Sequence, residues 1–220
     1  MSIPVLTIDG PSGAGKGTVS RAVARRLQWH YLDSGSIYRS LAIAAIQANV
    51  DLQDVAQLAE IASNMQLEFD CQTDLKVWLN SEDITTQLGT ETTGHIASVV
   101  AAYPEVRARL LQKQKDFQQL PGLVADGRDM GSVVFPEAAF KVYLTASAEE
   151  RGRRRYKQLI EKGIDANLLQ ITQEIEARDL RDSQRAVAPL TIPQGALEID
   201  SSQLTIEQVI ERVMDLVQQG

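Results

Sequence analysis

Cysteine is almost missing from this chain: Cys71 stands alone. No intrachain disulfide can form, and no thiolate cluster can hold zinc. That usage suits a reducing compartment, and Cys71 itself reads as a small buried or semi-buried hydrophobe. Histidine is nearly as scarce, and His30 and His95 are isolated, without ligand-like spacing. No apolar run approaches the roughly 20 residues that span a bilayer. The opening MSIPVLTIDG has no basic stretch ahead of a long apolar one, so no signal peptide is expected. Positive charge is also in deficit: 22 Lys and Arg face 29 Asp and Glu, for a net charge of −7. An acidic chain coats nucleic acid poorly, although a local basic pocket is still allowed. These absences predict a cytoplasmic protein with no membrane and no nucleic-acid partner.

What remains is ordinary globular material, 44% hydrophobic and 23% charged over 220 residues. Residues 5–9 (VLTID) form a β-branched apolar run cut short by Gly10 and Pro11, which predicts a buried strand. Val19, Ala22, Val23 and Leu27 then recur at helical spacing. Further strands are expected at 29–32, 123–126 and 140–144, with an edge strand at 197–199. Helices are expected over 37–48, 54–65, 93–102, 104–119, 149–161, 172–180 and 206–217. The last presents Ile206, Val209, Ile210, Val213 and Val217 on one face, a docking helix. Trp29, His30 and Tyr31 read as core packing at a strand. Two short strands at 67–69 and 76–79 suggest a small inserted module near 62–93. Strands alternating with helices predict a parallel sheet covered on both faces.

The strongest signal is Gly10-Pro11-Ser12-Gly13-Ala14-Gly15-Lys16-Gly17-Thr18. It matches G-x-x-x-x-G-K, with a strand before it and a helix after it. Glycines let backbone N–H groups converge on phosphate oxygens, and the following helix aims its positive end there. Lys16 adds a cation that follows charge onto the transferring phosphoryl group. The hydroxyl residue that normally follows the lysine is replaced by Gly17, so contact to Mg²⁺ would come from Thr18 or through water. Asp126 ends an apolar strand, where an acid holds Mg²⁺ or its waters in such proteins.

A phosphate loop alone does not name the acceptor. No N-K-x-D guanine-reading motif is present, which weighs against a GTPase switch. Arginine outnumbers lysine by 15 to 7, and seven of the fifteen are Arg151, Arg153, Arg154, Arg155, Arg178, Arg181 and Arg185. Some of these, Arg153 among them, suit a solvated helix face paired with nearby glutamates. Guanidinium forks also suit phosphate edges, and two arginine-bearing helices joined near Gly163 have the look of a movable lid. Another small-molecule kinase, a nucleotide-binding module without turnover, and a nucleic-acid motor are the competing readings. The acidic charge and the absence of a basic stripe disfavour the motor.

Five motifs in order now matter together: GPSGAGKGT (10–18), LDSGSIYR (32–39), ADGRDMG (125–131), VVFP (133–136) and RDLRDSQRAVAPL (178–190). The sequence resembles the bacterial cytidylate kinases, P-loop nucleoside monophosphate kinases, over nearly its full length. The resemblance implies an α/β fold with a three-layer P-loop NTPase core and a parallel sheet. It implies one domain over 1–220, with a monophosphate-binding insert near 62–93 and a helical lid near 150–183. The implied reaction moves the γ-phosphoryl group of ATP to CMP or dCMP with Mg²⁺. By motif, Arg39, Arg128 and Arg185 would grip the acceptor phosphate. Ser34, Tyr38, Arg178 and Asp182 would line the sugar, and Ser98, Arg107 and Asp129 would read the base. Residues 10–18 with Arg151 and Arg155 would hold ATP. Lys16, Arg128, Arg155 and Arg185 would carry the catalysis, and Thr18 and Asp126 the metal. A monomer is expected, because no long exposed apolar face is evident.

Overall fold

The computed structural model describes residues 3–70, 75–161 and 163–219. Cys71, and the expectation attached to it, lie outside those residues. The central sheet has five parallel strands: β1 (Val5–Asp9), β2 (His30–Asp33), β6 (Leu123–Gly127), β7 (Phe140–Thr145) and β8 (Leu197–Asp200). They lie in the order β2-β6-β1-β7-β8, so the first strand sits at the centre and β8 at an edge. The expected second strand is shifted by one residue, because His30 pairs opposite Leu123.

Alternation along the strands splits the core in two. Val5, Leu32, Leu123 and Ala125 face one layer, and Leu6, Ile8, Val124, Val142 and Leu144 face the other. The first layer is closed by α2 (Ser34–Gln47), α3 (Val55–Asn64), α5 (Glu91–Val100) and α6 (Pro104–Lys115). The second is closed by α1 (Lys16–Leu27) and α9 (Ile206–Gln219). Helices on both faces let every strand bury apolar side chains up and down, which a fully parallel sheet requires. Leu41, on α2, is wholly buried in the first layer. Truncating it to alanine should cost about 2–5 kcal/mol.

Local chemistry sets the helix starts. Asp33 accepts the Ser36 N–H at 3.0 Å, and Asp54 accepts that of Gln57 at 3.0 Å. Thr90 caps α5 through the Thr93 N–H, and Asn167 caps α8 (Leu168–Ser183) through that of Gln170. Each satisfies a donor the first helical turn leaves unpaired. α7 (Ala148–Glu161) precedes α8, and the two pack together.

Several expectations need adjusting. α6 stops at Lys115 rather than near 119, and Phe117 turns to meet Phe69 edge-on at 5.2 Å. In the terminal helix Ile206 is exposed, while Met214 joins Val209, Ile210 and Val213 in the core. Tyr31 is buried as expected, but His30 is exposed, its Nε2 at 2.9 Å from the Leu120 carbonyl. The strand-rich stretch is a separate antiparallel sheet of β3 (Leu67–Asp70), β4 (Lys76–Leu79) and β5 (Glu82–Asp83), followed by α4 (Thr85–Leu88). A π-type turn at Met130–Val134 follows β6. No helix among the described residues is long and apolar enough to cross a membrane.

Candidate active site

The central strands end at one long cleft of about 750 Å³. Ligands in open α/β sheets bind at this end of the strands. Almost every residue given a site role by sequence lines this one space. The exceptions are Gly10 and Pro11, which act through their carbonyls: that of Gly10 accepts from Arg128 at 3.0 Å, and that of Pro11 accepts from Lys16 at 2.8 Å. Gly10 has φ +148°, and a Cβ there would stand 1.9 Å from the Leu144 carbonyl oxygen. Only glycine lets the loop leave β1 so close to β7.

At one end, α1 starts at Gly15 with no side-chain cap and no acid in its first turn. Its leading N–H groups are left for an anion. Burial and the Arg128 guanidinium hold the Lys16 ammonium well below the ordinary lysine range, while Asp126 and Asp9 pull the other way. Arg151, buried on α7, donates to the carbonyls of Ser12 and Ala146, both at 2.9 Å, and pairs with Asp179. Arg154 donates to Ser201 O at 2.7 Å, joining α7 to the segment after β8. Arg155, farther along α7, pairs with Glu91 at the start of α5.

Beside α1, the Tyr31 hydroxyl donates to Asp126 Oδ2 at 2.6 Å. Burial, then the neighbouring Asp33, push the Asp126 carboxyl far above its usual range, against Lys16 and Tyr31. A Cβ at Gly17 would point into this space, 3.2 Å from Arg21 Nη1 and 3.8 Å from Asp126 Oδ2. Thr18, the next hydroxyl residue, also lines the cavity. Thr18, Asp126 and Asp33 all line the cleft, and their hard oxygen donors suit a divalent cation that also uses substrate phosphates. No group of three or more ligating side chains occurs among the described residues, so a dedicated all-protein cage is not what these residues build.

The other end is dense with guanidiniums. Arg128 donates to Asp182 at 2.7 Å, and Arg185 pairs with the other oxygen of the same carboxylate. Burial alone would raise Asp182, yet Arg128 and Arg185 hold it below the usual carboxylate range. Burial, then Arg128, brings Arg178 down to about 10. Arg178 donates to Ser12 Oγ at 3.2 Å, reaching the phosphate loop from α8. Arg39 is held by the carbonyls of Leu88 and Thr90. Nε of Arg178, Nε of Arg185 and the Tyr38 hydroxyl are buried without a partner. Unpaired buried donors are costly to leave unmet.

Deeper in, Arg107 pairs with Asp129 and lies 5.7 Å over the Tyr38 ring. Burial pushes the Tyr38 hydroxyl up to about 12. Ser98 accepts weakly from Arg181 at 3.4 Å, and Ser34 donates to Gln114 at 2.8 Å. Sequence reasoning passed over Asp9, Arg21, Tyr31, Gln114 and Arg154 as site residues. An acid closing the first strand was the available signal for Asp9, and the arginine cluster at 151–155 was the signal for Arg154; nothing local marked the others.

The family model for cytidylate kinase matches residues 6–219. A cytidylate kinase from Methylococcus capsulatus is 54% identical over 217 residues, covering 99% of this chain and 98% of that one. Another from Edwardsiella ictaluri is 52% identical, covering 96% and 95%. Among solved structures, an uncharacterized protein from Eubacterium ventriosum aligns over 99% of both chains with a TM-score of 0.53 at 8% identity, a likeness of fold alone. The fold is that of the α/β P-loop NTPases, and the chain belongs to the cytidylate kinase family.

Proposed function

We propose that the two ends of the cleft divide the family's reaction, with the phosphate loop holding the donor and the arginine cluster holding the acceptor. The chain is a kinase that moves the γ-phosphoryl group of ATP to CMP or dCMP, giving CDP or dCDP and ADP. The observation that supports the division is the clustering of Arg39, Arg128, Arg178 and Arg185 with Asp182 along the same cleft as the uncapped start of α1 and Lys16.

On this reading the amides of residues 13–18 and Lys16 bind the β- and γ-phosphates, and Arg151 and Arg155 close over them from α7. Arg39, Arg128 and Arg185 hold the acceptor phosphate. Ser34, Tyr38, Arg178 and Asp182 line the sugar, and Ser98, Arg107 and Asp129 face the base. Cytosine offers an amino donor and two acceptors, which complements the Asp129 carboxylate and the Arg107 guanidinium. Uracil reverses that pattern at two positions and leaves buried groups unpaired.

The acceptor oxygen is already anionic near neutral pH, so no general base is needed. Catalysis is alignment plus neutralisation of charge by Lys16 and the arginines. Thr18 and Asp126, directly or through water, would hold Mg²⁺, which supplies further neutralisation of the triphosphate when bound. The segment near 62–93 would close on the monophosphate and 150–183 would act as the lid. The single cysteine suits the reducing cytoplasm, and the chain is read as a monomer there.

The test is ADP release from ATP across the four ribonucleoside monophosphates. CMP should be turned over fastest, with UMP slower by about tenfold or more. Faster turnover of AMP would reject the assignment of the base-facing residues.

A further inference from the structure

We propose that Asp9 is a positioning residue for the acceptor end: its carboxylate pins the turn that carries Arg128 and Asp129 to the strand from which the phosphate loop springs. The inference rests on the reading above, in which those two residues hold the monophosphate.

Asp9 is the last residue of β1 and is wholly buried. Its two oxygens accept from two consecutive backbone amides, Oδ1 from Met130 at 2.8 Å and Oδ2 from Gly131 at 2.7 Å. Those amides open the π-type turn, whose bonds run from Val134 N to Asp129 O at 3.1 Å and from Phe135 N to Met130 O at 2.7 Å. The first N–H groups of such a turn have no partner inside it. Asp9 supplies one from another element, 121 and 122 residues away in sequence.

A second bond ties the same two segments. Arg128 Nη1 donates to the carbonyl of Gly10, the residue after Asp9. The approach is possible because residue 131 is glycine. A Cβ there would lie 2.7 Å from Thr7 Oγ1, on β1 itself. Burying a carboxylate on amides alone is expensive, and burial does raise Asp9 to about 6 in spite of both bonds. A neutral side chain could have capped the turn at lower cost. What the carboxylate adds is a rigid two-point grip. If the turn shifts, a phosphate donor and a base partner shift together, while α1 and Lys16 stay in place.

Two variants probe the grip from opposite sides. Asp9→Asn keeps one acceptor oxygen and turns an amide N–H₂ toward the other donor. Gly131→Ala pushes the turn off β1 without changing any charge. In each, the KM for CMP should rise by about tenfold and kcat should fall by about tenfold or more. In Gly131→Ala, which leaves the charge beside Lys16 intact, calorimetric affinity for a non-hydrolysable ATP analogue, measured without CMP, should stay within about twofold. Circular dichroism confirms folding, and if Asp9→Asn does not fold, Gly131→Ala decides. A folded variant with normal CMP kinetics overturns the proposal. So does an equal loss of ATP-analogue binding in Gly131→Ala, which would make the contact between turn and strand a support of the phosphate loop instead. Failure of the wild-type chain to make CDP would instead sink the reading of the site, and this inference with it.

Discussion

Lys16 sits where desolvation and Arg128 oppose its charge, so an arriving phosphate regains what burial withholds. Replacing it with alanine should lower kcat by about 10²–10³ and leave CMP affinity unchanged, as read by a coupled assay and calorimetry. Asp9 gives a pH signature. Its folded value, about 6, lies above the ordinary 3.8. Its contribution to stability is therefore full below 3.8 and is lost as pH rises through about 6. Urea midpoints across that range should show the wild-type chain losing ground to Asp9→Asn as pH increases; a constant difference would contradict the assignment. At this scale the sequence was readable wherever a motif fixes residue type and spacing together. Lys16, Arg128, Asp129 and Arg185 all reach one cleft. Tyr31 was not readable, because its hydroxyl finds Asp126 only when β2 pairs with β6 in register. Gln114 reaches Ser34 across 80 residues, a contact no local pattern encodes.

The helices and the five long-range strands follow from periodicity and turn residues, which act locally. β5, of two charged residues, does not, because its strand character comes from pairing with β4. The four-residue α4 and the π-type turn are too short to show a period. α7 ends as its sequence suggests. Gly163, at φ +74°, donates to Ile160 O, and Ile164 donates to Leu159 O, a two-bond stop that needs a left-handed residue. The base of α7 is fixed to the phosphate loop by Arg151, whereas Arg155 is held across the cleft by Glu91. That pair is partly exposed, so it is worth about 0.2–1 kcal/mol. Releasing it with Glu91→Gln should tighten binding of an ATP analogue by up to about fivefold. Unchanged or weaker binding, measured by titration, would show that Arg155 does not turn to the donor.

Taken whole, the molecule carries a net charge of −7 yet gathers Arg39, Arg128, Arg178 and Arg185 in one cleft with Asp182. These cations repel one another, and Arg178 registers it, since Arg128 helps to lower it. An anion without a nucleoside should therefore stabilise the fold. About 10 mM sulfate should raise Tm by roughly 2–4 °C, about 1 kcal/mol for a chain of this size. Sodium chloride of equal ionic strength should not; equal shifts would mean that general screening is the cause. Sheet order has a temporal side as well. The phosphate loop is translated before the cleft's arginines, which run up to Arg185. Ser201, Leu204 and Val209, which flank the donor end, come later, and Ser201 locks to Thr145 and Arg154 only once β8 takes its place at the edge. A message broken shortly after Arg185 thus yields a polypeptide that keeps the phosphate loop and these arginines but lacks Ser201, Leu204 and Val209 from the cleft wall, and it should make no CDP.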